Sequence, residues 1–180
     1  MTEKKTDHLA WVTDIHLNFL ERREIDSFCR RIMETKPRLL LIGGDIAESH
    51  SLSSYLNLLE SKLDIPIYFV LGNHDFYRGS IEETTKIVAE MSRTSKRLKW
   101  LPIVGIVPLT AKTCLIGHDG WSDGRYGDFF GSDVMLNDYL LIDELRYLEQ
   151  EELFEKLNAL GDNAADYFAG ILPKAMAGFE

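Results

Sequence analysis

The 180-residue sequence has little cysteine, a shortage of basic charge and no long apolar run, and each shortage removes a class of protein. Two cysteines, Cys29 and Cys114, are too few for a disulfide scaffold, and both sit in apolar surroundings that suit free thiols. A cytoplasmic location is the expectation. Twenty Lys and Arg against 29 Asp and Glu leave a net charge of −9, which disfavours nucleic acid as a partner, because such binding needs cations to neutralise phosphates. The one basic run, residues 93–99 with Lys96, Arg97 and Lys99, reads as a solvated helix end or loop. The longest apolar stretches, residues 39–42 and 65–71, fall far short of the ~20 residues that cross a bilayer. Residues 1–8 are polar and lead straight into a short apolar segment, so no secretory signal is visible. What remains is a chain of ordinary globular composition and a length that suits one domain over residues 1–180.

Residues 9–13, 38–42 and 65–71 are short apolar, β-branched runs and read as buried strands. Between the first two, Ile25, Phe28, Cys29, Ile32 and Met33 repeat at helical spacing and stop before Lys36-Pro37. Between the second and third, Leu52, Tyr55, Leu56, Leu59 and Leu63 do the same, with Ser49 or Ser51 as the expected cap. Strand, helix, strand, helix, strand implies right-handed crossovers and parallel neighbours, an α/β fold whose strand ends open on one edge. A helix is expected over residues 81–92, strands over 101–107 and 113–117, a turn-rich loop over 117–124, and one long helix or two over 133–160.

Polar residues follow each of the three strands: Asp14 and His16, then Asp45, then Asn73, His74 and Asp75. Parallel strands are about 4.8 Å apart, so side chains from three consecutive strand ends can meet in one small space. Residues two apart in an extended chain share a side, which lets Asp14 and His16 hold one cation together. Glycine precedes Asp45 and Asn73, where the backbone must turn and approach an ion closely. Mixed carboxylate, imidazole and amide donors suit manganese, iron or zinc better than calcium. Singly, Asp45 and Asn73 would read as turn-formers and His16 and His74 as structural histidines; as an ordered set at strand ends they point to a metal site.

The series Asp14-x-His16, Gly44-Asp45 and Gly72-Asn73-His74-Asp75 resembles the first three motifs of the calcineurin-like metallophosphoesterases, strongly over the first 80 or so residues. The resemblance implies packed β-sheets flanked by helices and two divalent ions. Asp14 and His16 would bind the first ion, Asp45 would bridge both, and Asn73 would bind the second. His74, oriented by Asp75, would donate a proton or stabilise charge at the leaving group. A metal-bridging hydroxide would attack phosphomonoesters or phosphodiesters. His118 lies outside the matched motifs, and Glu48, Tyr77 and Arg78 are candidates for supporting positions.

Two further motifs of that family carry histidines, yet no histidine follows His118. The expectation is therefore a C-terminally truncated chain of low activity, with a weakly bound second ion and an exposed sheet edge that favours self-association. Two rival readings remain: a non-catalytic scaffold or interaction protein of the same fold, and a metal-dependent nuclease.

Overall fold

A computed structural model describes residues 8–179; residues 1–7, most of the polar opening stretch, lie outside them. Four strands, β1 (Ala10–Val12), β2 (Leu40–Gly43), β3 (Ile67–Val70) and β4 (Leu98–Trp100), form a parallel sheet in that order. Val12, Ile42, Phe69 and Trp100 sit side by side across it. Because that row is level, the residues just beyond each strand emerge along one edge. Leu40, Ile42, Ile67, Phe69 and Leu98 are buried; alternating along their strands and level across them, they share one face of the sheet. β1 and β4 are the outer strands, and Trp11 on β1 is 73% exposed.

The crossovers are α1 (Arg22–Glu34), α2 (Ser49–Lys62) and α3 (Ile81–Thr94). α1 starts with a reciprocal cap, Glu21 N donating to Glu24 Oε2 at 2.8 Å, and buries Ile25, Cys29 and Ile32. The expected serine cap of α2 is absent. Glu48 occupies the cap position without a side-chain bond, and the Ser49 hydroxyl pairs with Thr84 Oγ1 at 2.8 Å instead, tying α2 to α3.

The strand expected over 101–107 is divided. β4 precedes it, a helical turn α4 (Leu101–Val104) occupies its first half, and β5 (Val107–Thr110) starts at its end. Pro102 lies in the first turn of α4, where its missing N–H costs nothing, and Gly105, at φ 75°, ends it. Lys99 of the basic run is accordingly on β4, its Nζ donating to Ser95 O at 2.7 Å. β5 pairs antiparallel with β6 (Thr113–Leu115) as a second sheet.

Two helices account for the C-terminal pattern: α5 (Asp138–Leu141) and α6 (Gln150–Gly178). Backbone bonds place α5 beside the end of β3: Arg78 N donates to Leu141 O at 2.7 Å and Asp143 N to Gly79 O at 3.0 Å. Ile142 and Leu157 join Leu17, Ile42, Leu56 and Phe69 in the core cluster. Among the described residues, no helix is long and apolar enough to cross a membrane.

Candidate metal centre

The loops after β1, β2 and β3 are knitted together by backbone. Asp14 N donates to Gly44 O at 3.1 Å, His16 N to Asp45 O at 3.0 Å and Leu17 N to Ile46 O at 2.8 Å. The turn after β2 meets the turn after β3 at two glycines. A Cβ on Gly44, whose φ is 93°, would lie 2.6 Å from Gly72 N, and one on Gly72 would lie 2.1 Å from Asp45 Oδ1. Only glycine permits this approach. Asp14 (φ 53°), His16 (φ 38°) and Asp45 (φ 53°) all adopt left-handed backbone, a conformation that costs non-glycine residues energy and clusters at functional sites.

Within this frame His16, Asp45 and His74 each offer a donor atom, and the three atoms lie within 4.8 Å of one another. His16 Nε2 is 3.9 Å from Asp45 Oδ2, and the His74 amide donates to Asp45 Oδ1 at 3.1 Å. The His16 ring meets the edge of His74 at 4.7 Å, and His74 stacks on Tyr77 at 4.2 Å with planes 28° apart. His16 Nδ1 is buried without a hydrogen-bond partner. A buried polar atom in that state is costly, and a carboxylate flanked by two imidazoles is a donor set that fits a borderline divalent cation.

The chain at Asp14 and His16 is not extended, so those two side chains do not share a face for the reason expected from spacing alone. Asp14 is exposed, accepts from Thr13 Oγ1 at 2.5 Å, and stands outside the converging trio. Asn73 Nδ2 donates to Asp138 Oδ1 at 2.8 Å and to the Tyr77 hydroxyl at 3.2 Å.

Asp75 accepts hydrogen bonds from backbone amides at two strand ends. It is fully buried, its Oδ1 accepting from Ile46 N at 2.8 Å and Ala47 N at 2.9 Å and its Oδ2 from Gly72 N at 2.9 Å. The carboxylate clasps the end of β2 to the end of β3. Burial pushes its pKa up to about 7 against the lowering by those three donors, with the Asp45 charge adding to the rise.

His118 lies against Tyr167 and Phe168 of α6, with ring centroids at 4.9 and 6.3 Å, and its Nδ1 accepts from Gly120 N at 3.0 Å. Glu48 is buried and paired with Arg78. Two carboxylates that carry no motif signal reach the region from later in the chain. Asp119 Oδ1 accepts from Leu71 N at 2.7 Å and Trp100 Nε1 at 2.9 Å, and burial pushes its pKa up to about 6. Asp138 is the other. Both line a cavity of about 430 Å³ with Asn73, Trp121 and Tyr139.

A sequence profile of the calcineurin-like phosphoesterases matches residues 8–170. The chain belongs to the calcineurin-like phosphoesterase family. The family is one of phosphate-ester hydrolases that generally bind two divalent metals. A probable cyclic nucleotide phosphodiesterase of Pseudoalteromonas sp. (strain SM9913) is 32% identical over 102 residues, a match covering 46% of this calcineurin-like chain and 39% of the relative. The chain thus matches well under half of that relative's length. The fold is similar to that of phosphopantetheinyl hydrolase from Mycobacterium tuberculosis, with a TM-score of 0.58 and 13% identity, over 89% of this chain and 63% of that one.

Proposed function

We propose that this chain hydrolyses phosphate esters at a divalent-metal centre where β1, β2 and β3 end, with phosphodiesters as its first substrates. The observation that carries the reading is the convergence of His16, Asp45 and His74 from three separated stretches of chain. His16 and Asp45 hold the first ion, with Asp14 adding its carboxylate from the rim. Asp45 and Asn73 hold the second, which binds more weakly because fewer donors serve it, and the activity of the 180-residue chain is correspondingly low. Manganese, iron and zinc all suit these donors. Such ions, when bound, lower the pKa of water and offset the charge that builds at phosphorus. Without them the carboxylates of Asp14 and Asp45 repel a phosphate, so the same residues make the site dependent on its metals.

His74 donates the proton to the departing ester oxygen, its ring held by the stack on Tyr77. A second reading is favoured by the 4.8 Å convergence, in which His74 is itself a ligand. His74→Gln separates the two: a proton donor's loss lowers turnover and leaves Mn²⁺ affinity within twofold, whereas a ligand's loss lowers affinity by an order of magnitude or so. The relative named as a probable cyclic nucleotide phosphodiesterase supports trying cyclic nucleotides and other diesters before monoesters.

The test compares bis-p-nitrophenyl phosphate and p-nitrophenyl phosphate with Mn²⁺ added. The expected result is slow, diester-preferring hydrolysis that a chelator or Asp45→Asn abolishes. Hydrolysis that survives both would sink the reading, and a chain that binds no Mn²⁺ at all would favour a scaffold of the same fold. Cleavage of DNA or RNA instead of small diesters would point to a nuclease.

A further inference from the structure

Asn73 has two chemically different ends, and only one can serve a cation. Its Oδ1 carries lone pairs, while its Nδ2 carries hydrogens. Whatever holds the amide therefore decides whether Asn73 attracts an ion or repels it. Nδ2 donates to Asp138 Oδ1 at 2.8 Å and to the Tyr77 hydroxyl at 3.2 Å, and Tyr77 donates its own hydrogen to Asp138 Oδ1 at 2.7 Å. An ionised carboxylate has no hydrogen to give, so the Asp138 contact accepts the amide nitrogen and rejects the oxygen. With Nδ2 engaged on that side, Oδ1 is the end directed away from Asp138.

Two features make Asp138 a firm anchor. α5 is tied to the chain beyond β3 by Arg78 N to Leu141 O and Asp143 N to Gly79 O, bonds that do not use the Asp138 side chain. Tyr77 is 5% exposed and stacks on His74 at 4.2 Å, so the same acceptor steadies the ring beside the metal trio.

We propose that Asp138 is a positioning residue of the metal centre, accepting from Asn73 Nδ2 and the Tyr77 hydroxyl so that the Asn73 oxygen is turned toward the cation. This rests on the reading of Asn73 as a ligand. Removing the acceptor frees the amide to rotate about its Cβ–Cγ bond, and orientations that aim Nδ2 at the ion bind nothing. Loss of such an outer partner typically costs about 10–100-fold in metal affinity.

The experiment is Mn²⁺ titration calorimetry on the 180-residue chain as wild type, Asp138→Ala, Asp138→Asn, Asn73→Ala and the Asn73→Ala/Asp138→Ala double variant, with a thermal melt of each in chelator. Asp138→Ala should lower affinity by about 10–100-fold with the metal-free melt nearly unchanged. Asp138→Asn, whose side-chain carbonyl still accepts from both donors, should recover most of the loss. In the Asn73→Ala background, Asp138→Ala should have no further effect on affinity. If Asn73→Ala weakens Mn²⁺ binding but Asp138→Ala does not, the inference falls and the reading of Asn73 stands. If Asn73→Ala changes nothing, or the wild type binds no Mn²⁺, the underlying reading falls. Full additivity in the double variant would overturn the inference, because Asp138 would then act by another route. Should Asp138→Ala fail to fold, Tyr77→Phe takes its place: it should cost several-fold in affinity, none of it in the Asn73→Ala background, and an unchanged affinity would overturn the proposal.

Discussion

The two parts of the chain that build the site do so by different means. Residues 10–76 bring His16, Asp45 and His74 together through backbone: level parallel strands, ladder-like bonds between their loops, and glycines at the crossing points. Residues 117–144 contribute through single long-range side chains, Asp119 on Leu71 N, Asp138 on Asn73 and Glu144 on the start of α3. Backbone placement is set by strand spacing and cannot be lost one bond at a time. Side-chain placement hangs on individual acceptors, so it is the part that substitution and pH should disturb selectively.

Substitutions in the first part should have the larger effects. Asp45→Asn removes the one carboxylate in the trio and should lower Mn²⁺ affinity on the order of a thousandfold, about 4 kcal/mol, as read by calorimetry. A change under tenfold would mean that Asp45 is not the centre of the site. Gly72→Ala forces a methyl to 2.1 Å from Asp45 Oδ1 and 2.7 Å from Asp45 N, and should cost about 2–4 kcal/mol of stability in a denaturant melt. Because backbone as well as side chain is hit, relaxation is blocked. A variant as stable as wild type would show that the two turns do not meet so closely.

That difference also decided what could be read in advance. The parallel sheet, its crossovers and the ordered ligand types at strand ends were legible, because period-2 and period-3.6 patterns and glycine-ligand pairs are local. The left-handed backbone of Asp14 and His16 was not, since an apolar-polar pattern carries no sign of φ, and it removed the face-sharing expected of that pair. The partners of Asp75 include Ile46 and Ala47, which are distant in sequence and which its place beside His74 does not announce. Asp138 carries no motif signal in the sequence. The Gly79–Ile142 bridge, which no local pattern announces, brings it near Asn73.

Asp119 and Glu144 sharpen the comparison from within the second part, because their pKa values move in opposite directions. Burial pushes Asp119 up to about 6 despite donors at Leu71 N and Trp100 Nε1. A folded pKa above the unfolded value means that the folded state holds the proton more tightly. The contribution is therefore full below about pH 4 and is lost as pH rises through about 6. Above that, an ionised buried carboxylate costs about 1–3 kcal/mol. Since Asp119 Oδ1 alone accepts both bonds, Asp119→Asn keeps them and drops the charge. It should be more stable than wild type at pH 8 by up to that amount, and its stability should fall less steeply than wild type's between pH 4 and 6, the remaining slope belonging to Asp75. A variant less stable than wild type at pH 8 would show that the charge is needed at that position.

Glu144 should give the smallest effect and the opposite sign. Burial raises its pKa, but donation from Glu82 N, Ile81 N and Ser80 Oγ outweighs it, and the carboxyl ends below its ordinary value. Its oxygens meet the first amides of α3, where the helix dipole also favours negative charge. A lowered folded pKa means stability that is present above the unfolded value and lost as pH falls through the folded one. Glu144→Gln keeps one acceptor oxygen and gives up the charge, and should cost about 1 kcal/mol at pH 7, with the difference from wild type shrinking as pH falls through the folded pKa of Glu144. Since none of these bonds touches the trio, Mn²⁺ affinity should stay within twofold. A metal effect as large as that expected for Asp138→Ala would mean that the segment acts on the site as a body, through the backbone bonds that tie it to residues 78–79, and not through one acceptor at a time.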